Sequence, residues 1–331
     1  MRLRHSMTGA LLAGGTILCA GAALAQTDGA AADLTAEAIN GAVYNEAETS
    51  EHDPKLIRAQ VLLDRAGLSP GVIDGYEGDN VSKALTAFEA ANGFEPDGAL
   101  DQEVWDALVG DAAPVVTTYT ITEEDVGADY VAPTPDDYAA LADMERVVYQ
   151  SPLEMLAERF HMDQDLLEAM NPDADFGAAG TEILVADTGG SVSGSAAQIT
   201  ADKSKGALEI YDDTGALIAF YPATIGSDAN PSPSGEHTVR AVAPDAAYYY
   251  NPSVNFQQGD NSEPLEIPPG PNNPVGGVWI DLTEDTYGIH GTPDPASVSK
   301  NASHGCVRLT NWDARELAEL VSEGVPVSFV E

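Results

Sequence analysis

The chain is poor in cysteine: two thiols, Cys19 and Cys306, in 331 residues. It is also short of positive charge, with 14 Lys and Arg against 54 Asp and Glu and a formal net charge of −40. A surface of that sign repels nucleic acid and anionic lipid, and this excludes nucleic-acid binding as a function class. After residue 24 no apolar run reaches the length of a membrane helix, so no span is expected in the mature chain. The apolar fraction, 44%, is ordinary, and the length suggests two or three domains with real cores.

What is present begins with an export signal. Arg2 and Arg4 make a short basic start, 11–24 is apolar and rich in Ala and Gly, and Ala23-Leu24-Ala25 offers a cleavage site before Gln26. Residues 1–25 are therefore read as a cleaved secretory signal, and the protein as periplasmic. Losing Arg2 and Arg4 takes the charge from −40 to −42. Losing Cys19 leaves Cys306 alone. In an oxidising compartment such a thiol has no internal partner; it is buried and inert, an intermolecular link, or a reactive group.

Composition and periodicity divide the rest. Residues 26–52 are small and acidic and are read as a flexible leader. Residues 53–110 predict helices, with Leu56, Ile57, Gln60, Val61 and Leu63 on one face, Val81, Leu85 and Phe88 on a second, and a short helix carrying Val104, Trp105 and Leu108. Asp74-Gly75 and Asp97-Gly98 mark turns between them. The run Gln60…Gly67…Ile73-Asp74-Gly75…Gly78…Ala84…Phe88…Gly93…Asp97-Gly98…Trp105…Leu108 resembles the three-helix peptidoglycan-binding domain. It departs from that pattern at Glu89, where Gln is usual. Residues 111–143, rich in Pro, Thr, Ala and acids, are read as a linker with one strand at 115–121. In 144–188, Ser151 caps a helix, Leu166, Leu167 and Met170 follow, and Asn171-Pro172 and Gly180 precede Ile183-Leu184-Val185. This resembles a divergent LysM module without its usual Gly-Asp-Thr opening. Residues 189–197 read as a second linker.

The remainder, 198–331, has the alternation of strands. A hairpin turns at Asp212-Asp213-Thr214-Gly215, further strands are expected at 238–242 and 278–282, and Asn311 opens a late helix with Ala314, Leu317, Leu320 and Val321 inward before a last strand at 325–330. The expected fold is multidomain: a mainly β catalytic domain with one late helix, preceded by small α and α+β modules.

Two stretches of this domain concentrate chemistry: Gly288-Ile289-His290-Gly291-Thr292 and Ser303-His304-Gly305-Cys306-Val307-Arg308-Leu309, followed by Asn311. A free thiol, with a pKa of about 8.5, is mostly protonated at neutral pH and needs a base to attack a carbonyl. Either His290 or His304 has the right chemistry. Gly305 allows a turn that aims successive N–H groups at one point, an oxyanion hole. Arg308 offers a bidentate donor to a carboxylate. A zinc site on His290, His304 and Cys306 lacks a fourth ligand and any usual spacing.

His-Gly, a spacer, and Ser-His-Gly-Cys-x-Arg-Leu-x-Asn together resemble the signature of the L,D-transpeptidase catalytic domain. Ile267-Pro268-Pro269-Gly270-Pro271-x-Asn273-Pro274-Val275-Gly276 and Ser232-Pro233-Ser234-Gly235 extend the likeness. The resemblance implies a β-sandwich and a set of roles. Cys306 is the nucleophile, His290 the base, and the Gly291 carbonyl its orienter. N–H groups of His304, Gly305 and Cys306 form the oxyanion hole, and Ser303, His304, Arg308 and Asn311 shape the site. It also implies a thioester on the third residue of a peptidoglycan stem, passed to another stem, to a lysine of an outer-membrane protein, or to water, without metal or organic cofactor. A cysteine hydrolase acting on other substrates and a non-catalytic wall-binding protein are the alternatives. A catalytic thiol is expected to react fast near neutral pH. Of the remaining candidates, Trp279 reads as core, Tyr248 to Tyr250 as a half-buried patch, His52, His161 and His237 as surface or packing, and Asn311 as either a substrate contact or the helix cap.

Overall fold

The computed structural model describes residues 33–46, 51–110, 113–227, 230–254, 256–301 and 303–331; the signal expected over 1–25 lies outside them. Thr35 opens a short helix, α1 (Ala36–Asn40), by accepting from the Ala38 N–H. This stretch belongs to the expected flexible leader, yet it docks. Ile39 is fully buried, and Asn40 Oδ1 accepts from the N–H groups of Val115 and Val116 at 2.7 and 3.2 Å.

Asp53 caps α2 (Pro54–Arg65), whose proline fills a first-turn position where no N–H is needed. α3 (Asp79–Asn92) and α4 (Gln102–Val109) complete the helical module, closed over Ile57, Val61, Leu63, Leu85 and Trp105. Gln60, fully buried, donates to Asp74 Oδ1 and accepts from Gly75 N–H, both at 2.8 Å, which pins the Asp74-Gly75 turn. Glu89, the departure from the family pattern, still serves as an acceptor: Oε2 takes the Gly98 N–H at 2.8 Å.

The expected linker 111–143 is largely structured. Its strand β1 (Val116–Thr120) pairs antiparallel with β2 (Glu182–Ala186), and between them lie α5 (Glu123–Gly127), α6 (Tyr138–Ala142), α7 (Pro152–Arg159) and α8 (Gln164–Met170). The expected strand at 115–121 thus belongs to the module that follows it, because its only sheet partner there is β2. The second expected linker is tethered too: Val192 N–H donates to Glu316 Oε1 at 2.7 Å and Ala196 N–H to the Leu320 carbonyl at 2.8 Å.

The C-terminal domain is mainly β. Its strands are β3 (Gln198–Asp202), β4 (Ala207–Tyr211), β5 (Leu217–Pro222), β6 (Thr224–Ile225), β7 (Gly235–Ala243), β8 (Tyr248–Tyr250), β9 (Leu265–Ile267), β10 (Trp279–Leu282), β11 (Gly288–His290), β12 (Val307–Arg308) and β13 (Pro326–Val330), with one late helix, α9 (Asn311–Leu320). Nine of these share one hydrogen-bonded sheet in the order β5-β4-β3-β13-β7-β10-β11-β12-β6, while β8 and β9 form a separate hairpin. One apolar core runs from Ile199, Leu208 and Ile210 through Ile280 and Ile289 to Val307, Leu309 and Leu317. The helical module packs on the edge strand β5, where Ser69 N–H donates to the Phe220 carbonyl at 2.9 Å. No helix among the described residues is long and apolar enough to cross a membrane.

Candidate active site

The site forms where β10, β11 and β12 lie side by side. β11 and β12 run parallel with Ile289 opposite Val307 and His290 opposite Arg308. Side chains alternate along a strand, so Ile289 and Val307 turn into the core while His290, Arg308 and Cys306, two residues before Arg308, share the other face. The pairing sets His290 opposite Arg308 across a sequence gap, with Cys306 immediately before β12.

His290 is buried, and its Nδ1 makes a 2.6 Å hydrogen bond to the Gly291 carbonyl. A carbonyl only accepts, so Nδ1 carries the hydrogen and Nε2 keeps a lone pair. Burial drives the imidazole down to about 4, the Gly291 bond opposes this, and Arg308 adds to it. Trp279 stands directly across β10–β11 from His290, with rings 5.7 Å apart and 15° from parallel. Trp279, read from sequence as core, is half-buried and walls the imidazole. A hairpin turning at 283–287 is the signal that would have set it opposite His290.

Burial pushes the Cys306 thiol up as well, against a backbone N–H of Gly288 and the charge of Arg308. Burial thus favours the neutral form of both the thiol and the imidazole. This differs from the low-pKa thiol expected for fast reaction near neutral pH: desolvation outweighs the nearby cation. The thiol points at the Thr286 carbonyl, 3.8 Å away. Thr286 has φ +73, a rare conformation for a β-branched residue, which places that carbonyl at the site.

The turn before Cys306 is braced from within. Ser303 Oγ donates to the Cys306 carbonyl at 2.7 Å and accepts from Gly305 N–H at 3.2 Å. Gly305 has φ +112, and a Cβ there would lie 2.7 Å from Tyr287 Cε1. His304 is exposed and stacks on Phe256 at 4.0 Å, with burial and Arg308 lowering its pKa. Phe256 in turn meets Tyr138 of α6, which also packs edge-on against Tyr248 and Tyr250. The tyrosine patch is thus a roof held by a segment that precedes the catalytic domain.

Asn311 is not the cap. Thr310 Oγ1 caps α9 by accepting from Asp313 N–H at 3.1 Å, and the buried Asn311 amide donates to Glu158 Oε2 at 2.8 Å and to the Pro271 carbonyl at 3.1 Å. Glu158 and Phe256 carry no local sequence signal for these contacts. Two clefts lie beside these strands: one of about 700 Å³ lined by Arg308, Asp294, Tyr138 and Glu154, the other of about 640 Å³ lined by Trp279, Thr286 and Tyr248. Among the described residues no cluster of His, Cys, Asp and Glu could hold a metal ion.

A mainly β domain with a cysteine and a tautomer-fixed histidine on one sheet face has the equipment of a thiol-dependent acyltransferase or hydrolase. Two parts of the chain match known families: residues 196–328 match the model of the L,D-transpeptidase catalytic domain, and residues 52–108 match that of a "Putative peptidoglycan binding domain". The chain carries both domains. It is 34% identical over 112 residues to "Putative L,D-transpeptidase YkuD" of Bacillus licheniformis, covering 34% of this chain and 53% of that one. It is 40% identical over 68 residues to "Probable L,D-transpeptidase YbiS" of Escherichia coli, covering 20% and 22%. The chain thus spans about half the length of the first relative. The crystal structure of L,D-transpeptidase 3 from Mycobacterium tuberculosis aligns with 45% of this chain and 67% of its own, at 19% identity and a TM-score of 0.34.

Proposed function

We propose that this protein is an L,D-transpeptidase of peptidoglycan, with Cys306 as nucleophile and His290 as general base. The observation that carries the reading is the hydrogen bond from His290 Nδ1 to the Gly291 carbonyl, on a strand paired with β12, which Cys306 immediately precedes. That carbonyl takes the part an aspartate plays in serine hydrolases: it fixes the tautomer and stabilises the imidazolium once formed. The two matched domains supply the substrate class.

In the first half-reaction Cys306 Sγ attacks the carbonyl of the third stem residue, a diaminopimelate, as His290 Nε2 takes the thiol proton. Backbone N–H groups about His304 and Cys306 hold the oxyanion, while the Gly305 N–H, which the resemblance implied as a further donor, is taken by Ser303 Oγ. The amide bond to the terminal D-Ala breaks, His290 gives its proton to the departing amine, and a thioester remains. In the second half an amine attacks the thioester and gives its proton to His290. The new amide forms, and the released thiolate recovers that proton. A neutral resting pair suits this order, because charge separates only as the bond forms.

Arg308 anchors a substrate carboxylate, and Ser303 holds the turn in which the oxyanion donors lie. The side-chain amine of a second stem is the acceptor; an outer-membrane protein lysine gives a tether instead, and water a carboxypeptidase. The signal over 1–25 delivers the chain to the periplasm, the helical module at 53–110 keeps it at the wall, and the LysM-like module at 144–188 acts as a packed spacer.

The test is to incubate the purified protein with disaccharide-tetrapeptide fragments and read the products by mass spectrometry beside Cys306→Ala. A Cys306-dependent dimer that has lost one D-Ala supports transpeptidation. Tripeptide alone makes water the acceptor. Unchanged fragments with both proteins would remove the tetrapeptide stem as donor.

A further inference from the structure

Glu158 lies on α7, outside the stretch that matches the catalytic domain, yet its side chain enters that domain. The residue is 7% exposed. Oε2 accepts from Asn311 Nδ2 at 2.8 Å; Oε1 accepts from Arg315 Nη2 at 2.8 Å and from Tyr149 Oη at 2.6 Å. Asn311 Nδ2 also donates to the Pro271 carbonyl at 3.1 Å. Both partners of that nitrogen are pure acceptors, which fixes the amide orientation and turns Oδ1 the opposite way.

Oδ1 faces Gly291, which follows the histidine strand, and Gly276, which precedes β10. A Cβ on Gly291 would lie 2.3 Å from it, and one on Gly276 only 1.7 Å. The amide is therefore wedged against the residue whose carbonyl receives His290 Nδ1–H. Oδ1 is buried without a hydrogen-bond partner among the described residues. No hydrogen bond holds it on that side, so the amide's polar contacts are made through its nitrogen. Of the two acceptors on that nitrogen, the Glu158 carboxylate gives the shorter, charge-assisted bond.

We propose that Glu158 is a positioning residue for acyl transfer: it fixes the Asn311 amide, the amide fixes the Gly291 peptide, and that peptide's carbonyl fixes the His290 imidazole. A side chain of the preceding module thereby sets the aim of the base, and the module is part of the working enzyme as well as a spacer. The inference rests on the reading of His290 as base.

The experiment uses the full chain and two readouts: the rate of Cys306 alkylation by iodoacetamide, and kcat and KM for acyl transfer from the tetrapeptide fragment. Glu158→Ala is expected to slow alkylation and lower kcat about 10-fold, with KM changed less than about twofold. Glu158→Gln, which keeps an oxygen for Asn311, is expected to restore most of the rate. If Glu158→Ala melts below the assay temperature, Glu158→Met keeps the volume and replaces it. Arg146→Ala breaks a different contact between the modules, the Arg146–Asp245 pair at 2.7 and 3.0 Å, and is expected to leave both readouts unchanged.

The deciding comparison is the double variant. In a His290→Ala background, Glu158→Ala is expected to add nothing, because the group it positions is gone. Full, additive losses in both backgrounds would make Glu158 a purely structural contact and overturn the proposal, as would wild-type rates in Glu158→Ala. Unchanged rates in His290→Ala alone would overturn the base reading itself, a distinct failure.

Discussion

The indole of Trp279 lies over the imidazole of His290, directly opposite it across two antiparallel strands, with ring centroids 5.7 Å apart. The contact keeps water from one face of the base and contributes to the burial that holds it at about 4. A protonated imidazole cannot accept the thiol proton, so activity is lost as pH falls through the pKa of His290. The acid limb of the pH–rate profile is expected near 4 in the wild type. Trp279→Ala re-solvates the ring and moves that limb up, toward the free value of about 6.5. Rates of Cys306 alkylation from acid to neutral pH measure both limbs, and coincident limbs would rule out a desolvating role for the indole.

Gly291 tolerates no side chain. A Cβ there meets Asn311 Oδ1 at 2.3 Å and Asn311 Cα at 3.2 Å, and the second contact is backbone that cannot swing away. Gly291→Ala is expected to cut kcat at least about 10-fold and to lower the melting temperature. Gly127→Ala, where a Cβ meets nothing within 4 Å, is the matched control and is expected to do neither.

The acid side of stability carries the mark of Asp125. Burial alone would raise its pKa, but hydrogen bonds from Tyr119, Thr122 and Arg159 overcome this and bring it to about 2, below the unfolded value of about 3.9. The folded state therefore binds fewer protons than the unfolded one in that window. The stabilisation is present above about pH 4 and is lost as pH falls toward 2. Asp125→Asn is expected to melt lower than the wild type at pH 6, with the gap closing as pH drops to about 3. Melting curves across this range test it, and a pH-independent gap would refute it.

Asp313 works in the opposite sense. Burial, then the charge of Asp64, pushes its carboxyl up to about 8. The folded state keeps a proton that the unfolded chain releases above about pH 4, so this contribution declines as pH rises and is gone above about 8. Asp313→Asn imitates the neutral acid. Its melting temperature is expected to gain on the wild type steadily between about pH 4 and 8 and then to run parallel. A constant difference over that interval would refute the assignment.

Much of the site is written locally. Cys306 and Arg308 fall within five residues of Ser303, and His290 sits at a strand end that alternation could place. The helices of the 53–110 module follow from apolar spacing and from the two Asp-Gly turns. The parts that escaped are those set by packing between distant segments. Glu158 and Asn311 are 153 residues apart, and neither position looks unusual among its neighbours. Short elements such as α6 and β6 lack a full period of side chains. The linkers misled because Pro, Gly and acids also suit segments pinned by single contacts, as Val192 is by Glu316. The thiol's resting state depends on desolvation, which no spacing of residues reports.

β13 occupies the middle of the sheet: it pairs in parallel with β3 on one side and antiparallel with β7 on the other. Within the described sheet it alone joins β5-β4-β3 to the strands that carry His290 and Cys306. The keystone thus follows, in sequence, every strand of the two halves that it joins. Without 326–330 the chain would hold two half-sheets with open edges facing each other, and such edges invite wrong pairings. The setting of Cys306 therefore depends on 326–330, and a chain without that strand forfeits the sheet rather than a single edge.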